Sequence, residues 1–72
     1  MKFIVGLNSD GWPTAIPLDR IRELRIDPDD KSAVIEFRDD PTISYTLTTA
    51  FICDESEVKD YMILLLKKET KR

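Results

Sequence analysis

Histidine is the side chain best suited to proton transfer near neutral pH, and this chain of 72 residues has none. What remains for chemistry is a lone thiol, four serines, two aspartate clusters and a scatter of arginines. Ser9, Ser32, Ser44 and Ser56 have no base at a spacing that would activate a hydroxyl, and Ser56 is explained by its place at a helix start. Cys53 stands just ahead of that helix, where the dipole could lower a thiol pKa. Free cysteines are more commonly small buried hydrophobes, and Cys53 is read that way. No catalytic residue is assigned, and the chain is read as a non-enzyme.

The aspartates of Asp27-Pro28-Asp29-Asp30 and Asp39-Asp40 invite a metal reading. A calcium loop also needs spaced oxygens, a Gly at the sharp bend and a distal bidentate carboxylate. Here Lys31 intrudes and no Gly follows, and in a meander the two clusters lie at opposite ends of the sheet. Both are read as turn chemistry, with Pro presetting φ and Asp bonding its own backbone. No metal or cofactor is expected. Arg20, Arg22, Arg25 and Arg38 are the candidates for nucleic-acid contact, with Lys31 beside them. Arg20 and Arg22 share a strand parity that Arg25 does not, so they form no single stripe, and no exposed aromatic is interleaved for base stacking. Charges that blunt sheet edges explain them better. Trp12, between Gly11 and Pro13, is expected to cover the end of the core, because a small domain needs its largest side chains.

Composition sets the frame for these residues. A chain of 72 residues with 42% hydrophobic and 35% charged residues is one globular domain with a small core, marginal in stability without a partner or cross-link. A formal net charge of -3 and a pI of about 4.8 argue against phosphate-dominated binding by the whole domain. One cysteine cannot form an internal disulfide, and Phe3 to Leu7 is too short for the apolar region of a signal peptide. Tyr61 to Leu66 falls far short of the roughly 20 apolar residues of a membrane span. The chain is expected in the cytoplasm, away from membranes.

Alternation predicts strands over approximately 2–7, 12–16, 22–27, 32–38 and 42–48, the first two joined by a turn at Ser9-Asp10-Gly11. Leu18 to Ile21 reads as one helical turn. Folding at Asp39-Asp40-Pro41 sets Phe37 opposite Ile43, Ile35 opposite Tyr45 and Ala33 opposite Leu47. Folding at Pro28 sets Ile26 opposite Ala33 and Leu24 opposite Ile35. Both folds put apolar residues on one face, and a slip of one residue would reverse that. The fold class is therefore α+β: a small antiparallel meander of about four strands with a C-terminal helix across one face. Ala33, Ile35, Phe37, Ile43, Tyr45 and Leu47 are expected to meet that helix.

The helix is predicted over approximately 55–68. Asp54 is its cap, Glu57 completes a capping box, and Cys53 with Val58 makes a hydrophobic staple. Glu55 and Glu57 suit the positive end of the dipole, Lys67 and Lys68 the negative end, and Glu69 to Arg72 is expected to fray. At about 100° per residue, Val58, Tyr61, Met62, Leu65 and Leu66 gather on one wide face, with Leu64 on its flank. Ile63 points away, near Asp60 and Lys67. This apolar arc is wider than one sheet covers, which implies a protein partner or self-association through Ile63, Leu64 and Leu66.

Leu7-Asn8 after the first strand, the Leu18, Ile21, Leu24 spacing, Pro28-Asp29 in the turn, the Ile35 strand, Tyr45 and Leu47, and Glu55-Ser56-Glu57-Val58 at the helix start resemble the small swarming-motility (FlbD-like) proteins of bacterial flagellar operons. The resemblance spans most of the chain. It departs at Asp39-Asp40-Pro41, where such proteins typically have a Gly, and the helix-opening motif is one residue short. It implies a small accessory protein without catalysis that acts through protein contacts, and it carries over no binding residue. The reading is a non-enzymatic interaction module of a bacterium or phage, homodimeric through its C-terminal helix. The alternative is a small nucleic-acid-associated regulator using Arg20, Arg22, Arg25 and Arg38.

Overall fold

A computed structural model describes residues 1–40 and 42–70. Alternating apolar residues give strands β1 (Lys2–Leu7), β2 (Pro13–Pro17), β3 (Ile21–Ile26), β4 (Ala33–Phe37) and β5 (Ser44–Asp54), followed by helix α1 (Val58–Thr70). The strands form one antiparallel sheet of five strands in the order β2-β1-β5-β4-β3, rather than about four. Single 3₁₀ turns at Leu18–Arg20 and Glu55–Glu57 join β2 to β3 and β5 to α1. Pro41 of the expected Asp39-Asp40-Pro41 turn and the end of the tail lie outside the described residues.

The β3–β4–β5 meander adopts the register that its alternation requires. Leu24 pairs with Ile35, Ile26 with Ala33, Ala33 with Leu47 and Ile35 with Tyr45. The acidic residues organise the turns. Asp27 Oδ1 accepts the Asp29 N–H at 2.8 Å, and Asp30 Oδ1 accepts the Ser32 N–H at 2.9 Å. The Ser32 bond holds the Asp30 carboxyl below its ordinary pKa. Asp40 Oδ1 accepts the Thr42 hydroxyl at 2.7 Å.

Past Leu47 the chain departs from the expected plan. β5 continues to Asp54 and changes partner, pairing with β4 over Ser44–Leu47 and with β1 over Thr48–Asp54. At the changeover Thr49 adopts φ 52°, and the β1 ladder shifts register between Val5 and Leu7. This bulge bends the strand and changes its parity: Leu47 and Ala50 both enter the same core despite lying an odd number of residues apart. Gly6 sits against the bend. A Cβ there would lie 2.9 Å from the Thr48 carbonyl oxygen and 3.0 Å from Leu47 Cβ, so the close approach itself requires glycine.

The bend gives the small domain two apolar clusters, one on each face of β1. Ile4 and Ile16 meet Ile21, Ala33, Ile35, Leu47 and Ala50 on one face. Val5, Cys53 and Leu65 form the other, with Phe3, Leu7, Phe51, Val58, Tyr61 and Met62 packed around them. The expectation that α1 lies on Ala33, Ile35, Phe37, Ile43, Tyr45 and Leu47 is therefore overturned. The helix lies on β1 and β2, because β5 delivers the chain beside β1 before α1 begins. Phe51 meets Tyr61 edge-on at 4.7 Å between ring centroids. Phe37 is half-buried against Tyr45, and Ile43 is exposed.

Asp54 ends β5 and caps the helical segment after it. It forms a reciprocal capping box with Glu57, whose Oε1 accepts the Asp54 N–H at 3.2 Å. Lys2 Nζ lies 2.7 Å from Asp54 Oδ1, tying the first strand to the helix start. The hydrogen bond, reinforced by the charge contact, raises the Lys2 pKa and lowers that of Asp54. The lowered carboxyl pKa favours folding above the ordinary carboxylate range, an effect lost as pH falls through the folded value. The raised ammonium pKa favours folding below its ordinary value of 10.5, an effect lost as pH rises through the folded one. Both groups are exposed, so solvent screens this pair.

Substitutions at two positions test the bend by equilibrium urea denaturation. Gly6→Ala forces a methyl group into the Thr48–Leu47 contact and is expected to cost about 1–3 kcal/mol. An unchanged midpoint would mean that the strands do not approach so closely. Thr49→Gly relieves a left-handed backbone that L side chains resist, and should be more stable than Thr49→Ala by about 1 kcal/mol. Equal stability of the two Thr49 variants would remove the bulge conformation.

Candidate functional site

Asn8 builds the tip of the β1–β2 hairpin. Its Oδ1 accepts the N–H groups of Asp10 and Trp12 at 2.9 and 3.0 Å, and its N–H donates to the Trp12 carbonyl at 2.9 Å. Gly11 supplies the positive φ (86°) that closes the turn. The result holds Trp12 at a fixed backbone position while leaving its side chain 63% exposed. The expectation that Trp12 covers the core end is thus corrected. The cores close without it, around Ile4 and Ile16 on one side of β1 and Val5 and Leu65 on the other.

Trp12 instead forms one wall of an open apolar groove of about 630 Å³. Phe3 and Pro13 continue that wall. Val58, Met62, Ile63 and Leu66 form the opposite one, and Glu55 and Lys59 line the groove from the first turns of the helical segment. Helical periodicity explains the division of α1. Leu65 is buried, and Val58, Tyr61 and Met62 pack around it on the sheet. Ile63, Leu64 and Leu66 are left 44%, 52% and 40% exposed. These are the three residues that sequence periodicity marks as exceeding what one sheet covers. Ile26, Ile43 and Ile52 are also exposed, but none borders the groove.

The arginines are brought together only in part, and with carboxylates among them. Arg22 and Arg25 both reach Glu36, which lies between them on β4, and Arg25 also contacts Glu23 at 3.0 Å. Arg20 lies over the Phe37 ring at 5.7 Å and 3.8 Å from Asp39. Arg38 is exposed next to it, its N–H donating to the Arg20 carbonyl. These contacts make a charge-paired sheet face rather than a basic track. Cys53 is buried beneath α1, and burial pushes its thiol pKa up, away from the reactive thiolate. Among the described residues, no three carboxylate or thiol side chains converge as a metal site, and no helix is long and apolar enough to cross a membrane.

No family model, curated protein or solved structure matches this chain.

The wall contributed by the hairpin is the part of this site that periodicity missed. Its signal was Asn8 four residues before Trp12, the spacing that lets one side-chain amide bridge the turn. Trp12→Ala should leave the urea midpoint within about 0.5 kcal/mol of wild type, as for an exposed position. A buried Trp would cost about 3–5 kcal/mol instead, and a loss of that size would return Trp12 to the core.

Proposed function

We propose that this protein is a non-enzymatic, cytoplasmic interaction module that self-associates through its C-terminal helix. The observation that carries the reading is the exposure of Ile63, Leu64 and Leu66 on a helix whose opposite face packs on the sheet through Leu65, with Val58, Tyr61 and Met62 partly buried around it. Adjacent exposed apolar side chains beside an apolar groove with a tryptophan wall are the composition of a contact surface. The accessory role implied by the swarming-motility resemblance accords with this, though no flagellar function is drawn from it. The nucleic-acid alternative loses ground, because Arg20, Arg22 and Arg25 are engaged with Asp39, Glu36 and Glu23.

Ile63→Lys tests the reading. A lysine at an exposed helix position is nearly neutral for the fold, whereas the same charge desolvated in a contact without a counter-ion is heavily penalised. The variant should keep wild-type circular dichroism and sediment as a monomer at concentrations where the wild type is larger. Wild type that stays monomeric throughout removes self-association. A variant that unfolds places Ile63 in the core.

A further inference from the structure

We infer that the exposed face of α1 receives a second copy of this chain, docked antiparallel about a two-fold axis passing between Ile63 and Leu64. The inference rests on the self-association proposed above and adds its orientation and its charge contacts. At about 100° per residue, Asp60, Ile63, Leu64 and Lys67 share one stripe of the helix, spaced i, i+3, i+4, i+7. All four side chains are exposed, and the stripe is turned away from buried Leu65. Along it the order is acid, apolar, apolar, base.

The stripe is its own complement when reversed. The point midway between Asp60 and Lys67 is also midway between Ile63 and Leu64. A two-fold axis through that point, perpendicular to the helix, sets Asp60 opposite Lys67 of the partner subunit, and symmetry makes the same contact a second time. Ile63 and Leu64 then each meet their own copy across the axis, at two successive points along it. Antiparallel helices also oppose their dipoles favourably. A parallel pair would instead set Asp60 against its own copy and Lys67 against its own copy, two like-charge contacts. Lys59 does not disturb the pattern, because it lies on the groove side of α1, next to Glu55 and Met62. Any apolar partner would suit Ile63 and Leu64. The flanking charges call for one with the reversed order, which this chain supplies to itself.

Charge reversal across the axis tests the orientation. Wild type, Asp60→Lys, Lys67→Asp and the double variant Asp60→Lys/Lys67→Asp are compared by sedimentation over a concentration series, with circular dichroism to verify the fold. Each single reversal replaces two attractions with two repulsions and should weaken dimerisation about tenfold. The double variant should return close to wild type. Both reversals oppose the helix dipole, so recovery in the double variant cannot come from helix stability and must come from pairing between chains. Single variants that dimerise like wild type, or a double variant weaker than either single, overturn the antiparallel pairing. If Ile63→Lys still abolishes association in that case, the helix-mediated reading stands and only the orientation fails. Association that survives Ile63→Lys overturns both.

Discussion

The close approach of Gly6 to the bend of β5 is the constraint on which the remaining architecture depends. With Thr49 in a left-handed conformation and no Cβ at residue 6, one long strand can serve β4 with its first part and β1 with the rest. That shared strand is what lets 72 residues enclose two apolar clusters instead of one flat, half-covered sheet. Both faces of β1 are consumed: Ile4 goes one way and Val5 the other, and each is fully buried. A straight β5 would leave Ile4 and Ile16 without the β3–β4 layer, and would deliver α1 to a different face.

The legible parts of the fold were those set by local alternation. Leu24 with Ile35 and Ala33 with Leu47 could be paired from sequence, because a slip of one residue would turn the meander inside out. The capping box of Asp54 and Glu57 was legible for a similar reason, since its geometry depends on residues three apart. The placement of α1 was not. It turns on one bulge, and Thr48-Thr49-Ala50 carries no residue that favours positive φ. Gly6 was the available clue, but a lone glycine in a strand indicates a close approach without saying what approaches.

The site divides along the same line. Ile63, Leu64 and Leu66 were visible because helical periodicity depends only on the helix itself, whichever face of the sheet receives it. That is why the outward residues could be identified even though the packing partner of the inward ones was misplaced. Trp12 and Phe3 join them only through the three-dimensional arrangement of the hairpin against α1, which periodicity does not encode. The arginines show the converse: sequence proximity suggested a basic patch, and the fold interposed Glu36 between Arg22 and Arg25.

The division of the interior into two clusters also bears on why part of the helix stays exposed. Each cluster is small, and among the described residues the second has Val5, Cys53 and Leu65 as its buried members. A helix resting on so narrow a base can present one stripe to the sheet, here Val58, Tyr61, Met62 and Leu65. The apolar residues outside that stripe, Ile63, Leu64 and Leu66, stay 44%, 52% and 40% exposed, and such exposure raises the risk of non-specific aggregation. The self-association proposed above would remove that exposure. Association that covers α1 would also favour the folded chain by mass action, most usefully in a domain this close to the lower size limit for independent stability.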